Sequence, residues 1–277
     1  MQLRNYPHKV DSDFKQSKSL DSTIASLATQ TIPQVGLGCF RMQDSVGMMR
    51  SSLTSFLRLS TTHSIIRWFF PNHDEAGNAG GTARTILVAV NHAPLFGPTR
   101  TVAKARCRLC YGLSLLSAAT PMFFIGEEVG SQQPYRFDSF IDHRENIIGL
   151  RNGIGGSMFH FYQDLISLRK RLESIRSHNI NILHKSNRNL VIAFKRWSGN
   201  QEVIVVASLN NSAFSNGYTV LKDTTAISNT SWKEVFNSDS AFYDGENIGN
   251  NGKAIQVTNN RLSVVLPANG FVVFVRQ

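Results

Sequence analysis

Hydrophobic and polar positions fall into two regimes along this chain. From residue 64 to about 172, short apolar runs alternate with helix-length amphipathic stretches, and from about His178 onward the period drops to two. The run Ser64–Phe70 reads as a strand that stops at the polar turn Asn72-His73-Asp74-Glu75, ahead of the Gly-rich residues 77–81. A second apolar run, Pro121-Met-Phe-Phe-Ile125, ends in Gly126-Glu127-Glu128. Between them, Thr101–Ala119 spaces Val102, Leu109, Leu113 and Leu116 in approximately helical register, and Thr120-Pro121 closes the helix. Strand, polar loop, helix, strand, polar loop predicts a βαβ unit, whose parallel strands bring both loops to one carboxyl end. Barrels and doubly wound sheets place their chemistry at that end.

Farther on, Ser157 follows Gly155-Gly156 as the candidate N-cap of a helix running to about Leu172. Met158, Phe161, Leu165, Leu168 and Leu172 form its apolar face, and Arg169-Lys170-Arg171 occupies the last turn, where cations favour the helix dipole. Short β runs then follow at 181–184, 190–196, 202–208, 218–221, 232–236, 254–257, 262–266 and 271–275, separated by Asn, Gly and Ser turns. This spacing predicts an antiparallel β-sandwich. Trp197, Trp232 and Tyr243 have ring faces able to stack on sugars, but core or interface packing is the expected use. Residues 1–62, rich in Ser, Thr and Gln, offer two short candidate helices near Ser22–Leu27 and Val46–Leu57, and no function is assigned to them.

Composition changes little in this picture. A 42% hydrophobic fraction suits a globular core, and 277 residues suffice for one large domain or two smaller ones. The net charge of +10 is spread evenly along the chain, with no basic tail or stripe, so it reads as solvated surface and argues against a nucleic-acid partner. Cys39, Cys107 and Cys110 cannot all pair; Cys107 and Cys110 sit mid-helix with no second pair to complete a zinc site. They are expected to be buried free thiols in a reducing, cytoplasmic setting. The N-terminus lacks an apolar h-region and no run approaches the ~20 apolar residues of a span, so no membrane partner is expected.

Carboxylates beside a His at a strand end suit sugar chemistry, in which one acid protonates a leaving oxygen and others stabilise positive charge at the anomeric carbon. Asn-His-Asp is equally a good turn and helix N-cap sequence, so this spacing alone leaves both readings open. Taken together, Asn72-His73-Asp74-Glu75 and the segment Leu115–Gly130, with its Pro121-Met-Phe-Phe-Ile-Gly-Glu-Glu128 core, resemble the α-amylase superfamily (glycoside hydrolase family 13), and within it the 1,4-α-glucan branching enzyme branch. The resemblance continues through 159–169, 191–197 and 232–239 and covers roughly residues 64 to 277.

The resemblance implies an α/β plus all-β fold. Strands seven and eight of a (β/α)8 barrel, with their helices, would occupy residues 63–177, and the antiparallel sandwich would occupy 178–277. It implies an α-glucan partner (glycogen, starch or malto-oligosaccharide), no cofactor and no metal. Asp74 would be the carboxylate that stabilises the transition state, with Asn72, His73, Glu75 and Glu127 at the substrate and Glu128 capping the helix after strand eight. The family mechanism is retaining. It uses an aspartate nucleophile in an R-x-D context on strand four and a glutamate acid/base on strand five, about 5–5.5 Å apart. Neither motif precedes Asn72; Arg136-Phe137-Asp138 and Asn91-His92 have matching forms but the wrong positions. The chain is therefore expected to lack activity by itself and to need the missing N-terminal part of the same enzyme as its partner. The other readings are an α-amylase-type or trehalose-releasing hydrolase, and a non-catalytic glucan-binding remnant.

Overall fold

Period-two alternation from residue 180 onward produces eight strands: β1 (Ile180–Ser186), β2 (Val191–Ser198), β3 (Gln201–Ser208), β4 (Phe214–Leu221), β5 (Ser231–Asn237), β6 (Ala254–Gln256), β7 (Arg261–Leu266) and β8 (Gly270–Arg276). Each matches one of the expected β runs. The structure is a computed structural model that describes residues 84–136, 145–221, 230–259 and 261–277, all within the compact unit Leu37–Gln277. The strands form a six-stranded sheet in the order β1-β2-β3-β8-β5-β6 and a two-stranded ribbon, β4-β7, and all pairs are antiparallel.

The central sheet is buried on both faces. Ile192 and Phe194 of β2, Val203, Val205 and Ala207 of β3, and Phe271 and Val273 of β8 point into a core shared with helices. Their neighbours Val191, Ala193, Ile204, Val206, Val272 and Phe274 join Trp232 in a second core against Val220, Leu262, Val264 and Leu266 of the ribbon. Successive side chains on a strand point to opposite faces, so burial on both faces requires the near-continuous apolar runs that β2, β3 and β8 carry. The architecture is thus three layers: helices, six-stranded sheet and ribbon. Trp232 and Tyr243 are buried in it, and Trp197 is half-buried with Lys195 Nζ 5.5 Å from its ring centroid.

The helical layer contains α1 (Thr85–Val88), α2 (Gly97–Leu116), α3 (Ile147–Asn152), α4 (Gly156–Arg171) and α5 (Glu173–Arg176). The helix expected over 101–119 is α2, but it starts and ends earlier. Gly97-Pro98 opens it rather than breaking it, because proline in the first turn has no N–H to lose to the ladder. It ends where the Ser117 hydroxyl donates to the Ser114 carbonyl. Leu109, Leu113 and Leu116 are buried as expected, whereas Val102 is 37% exposed, so the apolar face begins a turn later.

In α4 the expected apolar face is buried, but the helix begins two residues earlier than expected. Gly155 is its N-cap, and Ser157 lies inside the first turn with its hydroxyl accepting from Lys104 Nζ at 3.0 Å. The run Pro121–Ile125, expected as a strand, is not one: Met122 alone makes a bridge and Ile125 already lies in a turn, so it forms no ladder with another described strand. The matching run Ser64–Phe70 and residues 1–62 lie outside the described residues.

Polar bolts join helices to sheet. Arg196 of β2 is fully buried and donates to the carbonyls of Leu116 and Ser117 at the end of α2, of Ile175 (3.0 Å) and Ser177 at the end of α5, and of Asn179 (2.8 Å). Burial, then the neighbouring Arg169, pushes its guanidinium below its ordinary range. The partial negative charge of two helix C-termini is what holds this cation. Arg169 also turns inward to the carbonyls of Leu115, Ala119 and Ile175 instead of staying on the solvated face. Midway along the two long helices, Arg108 Nη1 donates to the Tyr243 carbonyl at 2.8 Å, and the Tyr243 hydroxyl donates to Asp164 Oδ2 at 2.8 Å.

Candidate functional site

Asn72, His73, Asp74 and Glu75 lie outside the described residues. Of the proposed site residues, Glu127 is the one whose surroundings the structure describes, on the turn after Ile125. Gly126 makes this turn possible. Its φ of +97° is in the left-handed region, and a Cβ there would sit 2.8 Å from Ser131 Cβ. The chain then makes a 3-10 turn, Glu127–Val129, and Ser131 N–H closes it by donating to the Gly126 carbonyl at 2.9 Å.

Glu127 points inward. It is 4% exposed and pairs with Arg84 Nη1 at 3.3 Å. Arg84 is itself buried; it donates to the carbonyls of Ile125 (2.7 Å) and Gln133 (2.8 Å), and its guanidinium lies 5.4 Å from the Phe124 ring centroid. Arg84 therefore ties both limbs of the loop to the segment that follows the Gly-rich residues 77–81. Burial pushes the Glu127 carboxyl above the usual range, opposed by the nearby Thr85 hydroxyl and the Arg84 charge. Glu128 accepts from Gly126 N–H at 2.8 Å, so it reaches back to the N-cap residue of the short 3-10 helix that follows Ile125, a structural capping role of the kind expected.

Two residues that sequence reasoning did not single out hold this loop. Arg84 is one. Glu145 is the other: its carboxylate accepts from the Ser131 hydroxyl and from the N–H groups of Gln132 and Gln133 at 3.3 Å each. Neither stands at a spacing that betrays its role, because each acts on a turn 12 or more residues away. The loop after the expected strand eight is thus rigidly built on buried charge. The Glu127 carboxylate is engaged by Arg84 within this loop and is not free.

Among the described residues, no group of three or more His, Cys, Asp and Glu could hold a metal ion. Cys107 and Cys110 are free thiols buried in α2, as expected for that pair. No helix among the described residues is long and apolar enough to cross a membrane.

Comparison with known proteins follows the same division. Residues 182–277 match the family model for the α-amylase C-terminal all-β domain. The chain is similar to the 1,4-α-glucan branching enzyme GlgB of a Bradyrhizobium species, with 26% identity over 178 residues, 62% of this chain and 24% of that protein. It is also similar to the malto-oligosyltrehalose trehalohydrolase of Saccharolobus solfataricus, with 27% identity over 127 residues, 37% of this chain and 20% of that protein. The chain thus spans about a quarter of the length of the curated relatives it matches. Among solved structures, Amy13B of Eubacterium rectale superposes with a TM-score of 0.53 at 14% identity, over 84% of this chain and 43% of that one. An α-amylase of Geobacillus thermoleovorans, solved with acarbose, gives 0.52 at 14%, over 82% and 43%. These likenesses establish the fold, a β-sandwich behind part of a barrel. Its C-terminal all-β domain is that of the α-amylases, and the chain as a whole is similar to the C-terminal part of enzymes of the α-amylase superfamily, glycoside hydrolase family 13.

Proposed function

We propose that the chain is the C-terminal portion of a 1,4-α-glucan branching enzyme, which cuts an α-1,4 linkage and transfers the freed chain to a 6-hydroxyl. The observation that carries this reading is the branching-enzyme similarity across 62% of the chain, which reaches well beyond the all-β domain. In this reading residues 63–177 are barrel and 178–277 are the all-β domain. Asp74 stabilises the positive charge that develops at the anomeric carbon, and Asn72, His73 and Glu75 bind sugar hydroxyls. Glu127 contributes by holding the adjoining loop in place through Arg84. The nucleophile and the acid/base come from barrel strands four and five, whose motifs this sequence does not carry, so the chain alone has no turnover. The neutral glucan is its substrate-side partner, and the rest of the barrel is its protein partner.

The test replaces the corresponding C-terminal part of the Bradyrhizobium enzyme with this chain. New α-1,6 links formed from amylose, and lost in Asp74→Asn, are expected. Reducing ends without new branches would favour the hydrolytic reading suggested by the trehalohydrolase similarity. Turnover by the chain alone would overturn the claim that it lacks its chemical residues.

A further inference from the structure

Beside the start of α4 and the turn Ala241–Tyr243, the surface opens into a groove of about 470 Å³, within the ~300–1,000 Å³ range of small-molecule sites. Its most prominent wall is Phe242, a large aromatic that is 61% exposed. This ring is held in place. The Ser240 hydroxyl accepts from Phe242 N–H at 3.3 Å, His160 leans on the ring at 5.2 Å between centroids, and the buried Tyr243 meets it edge-on at 5.5 Å.

The polar groups of the groove are also fixed before any ligand arrives. Arg151 lies 4.3 Å from the Phe159 ring centroid, which orients its planar fork of donors. Asp244 is held 2.8 Å from the buried Lys104 Nζ and occupies the left-handed region at φ +60°. Asn152 supplies an amide from the end of α3. An exposed ring face beside a fixed donor, a fixed acceptor and an amide matches a pyranose, which offers C–H groups on its faces and hydroxyls around its rim. The Asp244 carboxylate, already paired with Lys104, presents an acceptor oxygen to the same groove that the Arg151 donors line.

We propose that this groove binds an α-1,4-glucan chain, as an accessory site built from residues other than Asn72–Glu75. The proposal rests on the α-glucan reading above for its choice of sugar. An accessory site of this kind holds a long polymer on the enzyme between encounters and raises its local concentration at the reacting loop.

The experiment is retardation of the full chain in native gels containing amylopectin, with maltoheptaose as competitor. The exposed variants Phe242→Ala and Asn152→Ala are expected to weaken retention about tenfold and severalfold, with thermal midpoints unchanged, while Phe96→Ala, an equally exposed ring outside the groove, leaves it intact. Retention that survives Phe242→Ala, that falls only with His73→Ala, or that is equal in hydroxyethylcellulose gels would overturn the groove. So would the absence of retention in the parent chain. The chimera assay is a separate readout. Loss of branching there with Phe242-dependent retention intact refutes the catalytic reading alone, and the reverse refutes the groove alone.

Discussion

Gly112 is the point where α2 lies against the sheet, and Gly112→Ala tests whether that contact is as close as it looks. An added Cβ would stand 2.0, 2.4 and 2.9 Å from three atoms of the Phe271 ring. The optimal carbon separation is about 3.5–4.0 Å, so the ring would have to retreat by roughly 1.5 Å. It has nowhere to go: Phe271 is fully buried, stacked on Phe236 at 5.8 Å with planes 6° apart, and edge-on to Phe161 at 6.2 Å. Overpacking of this kind costs about 1–3 kcal/mol, and a pinned ring puts it at the upper end. Alanine returns about 1 kcal/mol of helix propensity over glycine. The net expectation is about 2 kcal/mol of destabilisation, or a fall of about 4–8 °C in the thermal midpoint. Circular dichroism melts of the two proteins measure it. A double variant with Phe271→Leu should be less destabilised than the sum of the single changes, with a coupling of about 1–2 kcal/mol. A Gly112→Ala protein as stable as the parent, or more so, would refute the close-contact argument.

Other perturbations probe the buried polar groups. Arg196→Met removes the donors that satisfy carbonyls at two helix ends and should cost about 3–5 kcal/mol in chemical denaturation, with Arg196→Lys recovering only part because an ammonium lacks the fork. Because the native Glu127 carboxyl is raised by burial, it holds its proton to higher pH than in the unfolded chain. Its stability contribution is therefore full below the unfolded-state value and is lost as pH rises through the native one. Denaturant midpoints should decline over that interval, and Glu127→Gln should flatten the decline; an unchanged slope would sink the assignment. Tyr243→Phe should cost about 1 kcal/mol by deleting the hydrogen bond to Asp164, and the same loss should not appear on an Asp164→Ala background.

All eight strands were legible from short β-prone runs and the turn residues between them, β2, β3 and β8 as near-continuous apolar runs. The ladder order was not. That β8 lies between β3 and β5 follows from long-range pairing, which leaves no mark at any single position. The start of α2 was misplaced because Gly97-Pro98 reads as punctuation in sequence, although proline is well suited to a first turn. The acidic turn after Ile125 was legible as a loop, while the inward direction of Glu127 depended on Arg84, 43 residues earlier. Arg196 looked like an ordinary polar position near the end of a strand. Only the convergence of two helix ends explains why a cation is buried there without an acid.

The Arg196 cluster has a consequence for how the molecule comes apart. The residues it joins straddle the short linker between α5 and β1, where composition would invite a cut. A protease nick placed there would sever the peptide but not the hydrogen bonds to Leu116 and Ser117, nor the shared apolar layer of Phe161, Phe194 and Phe271. The two pieces should stay together through gel filtration and release only on unfolding. In hydrogen exchange, amides of α2 and β8 should open in one step, as a single foldon that crosses the boundary drawn by the sequence.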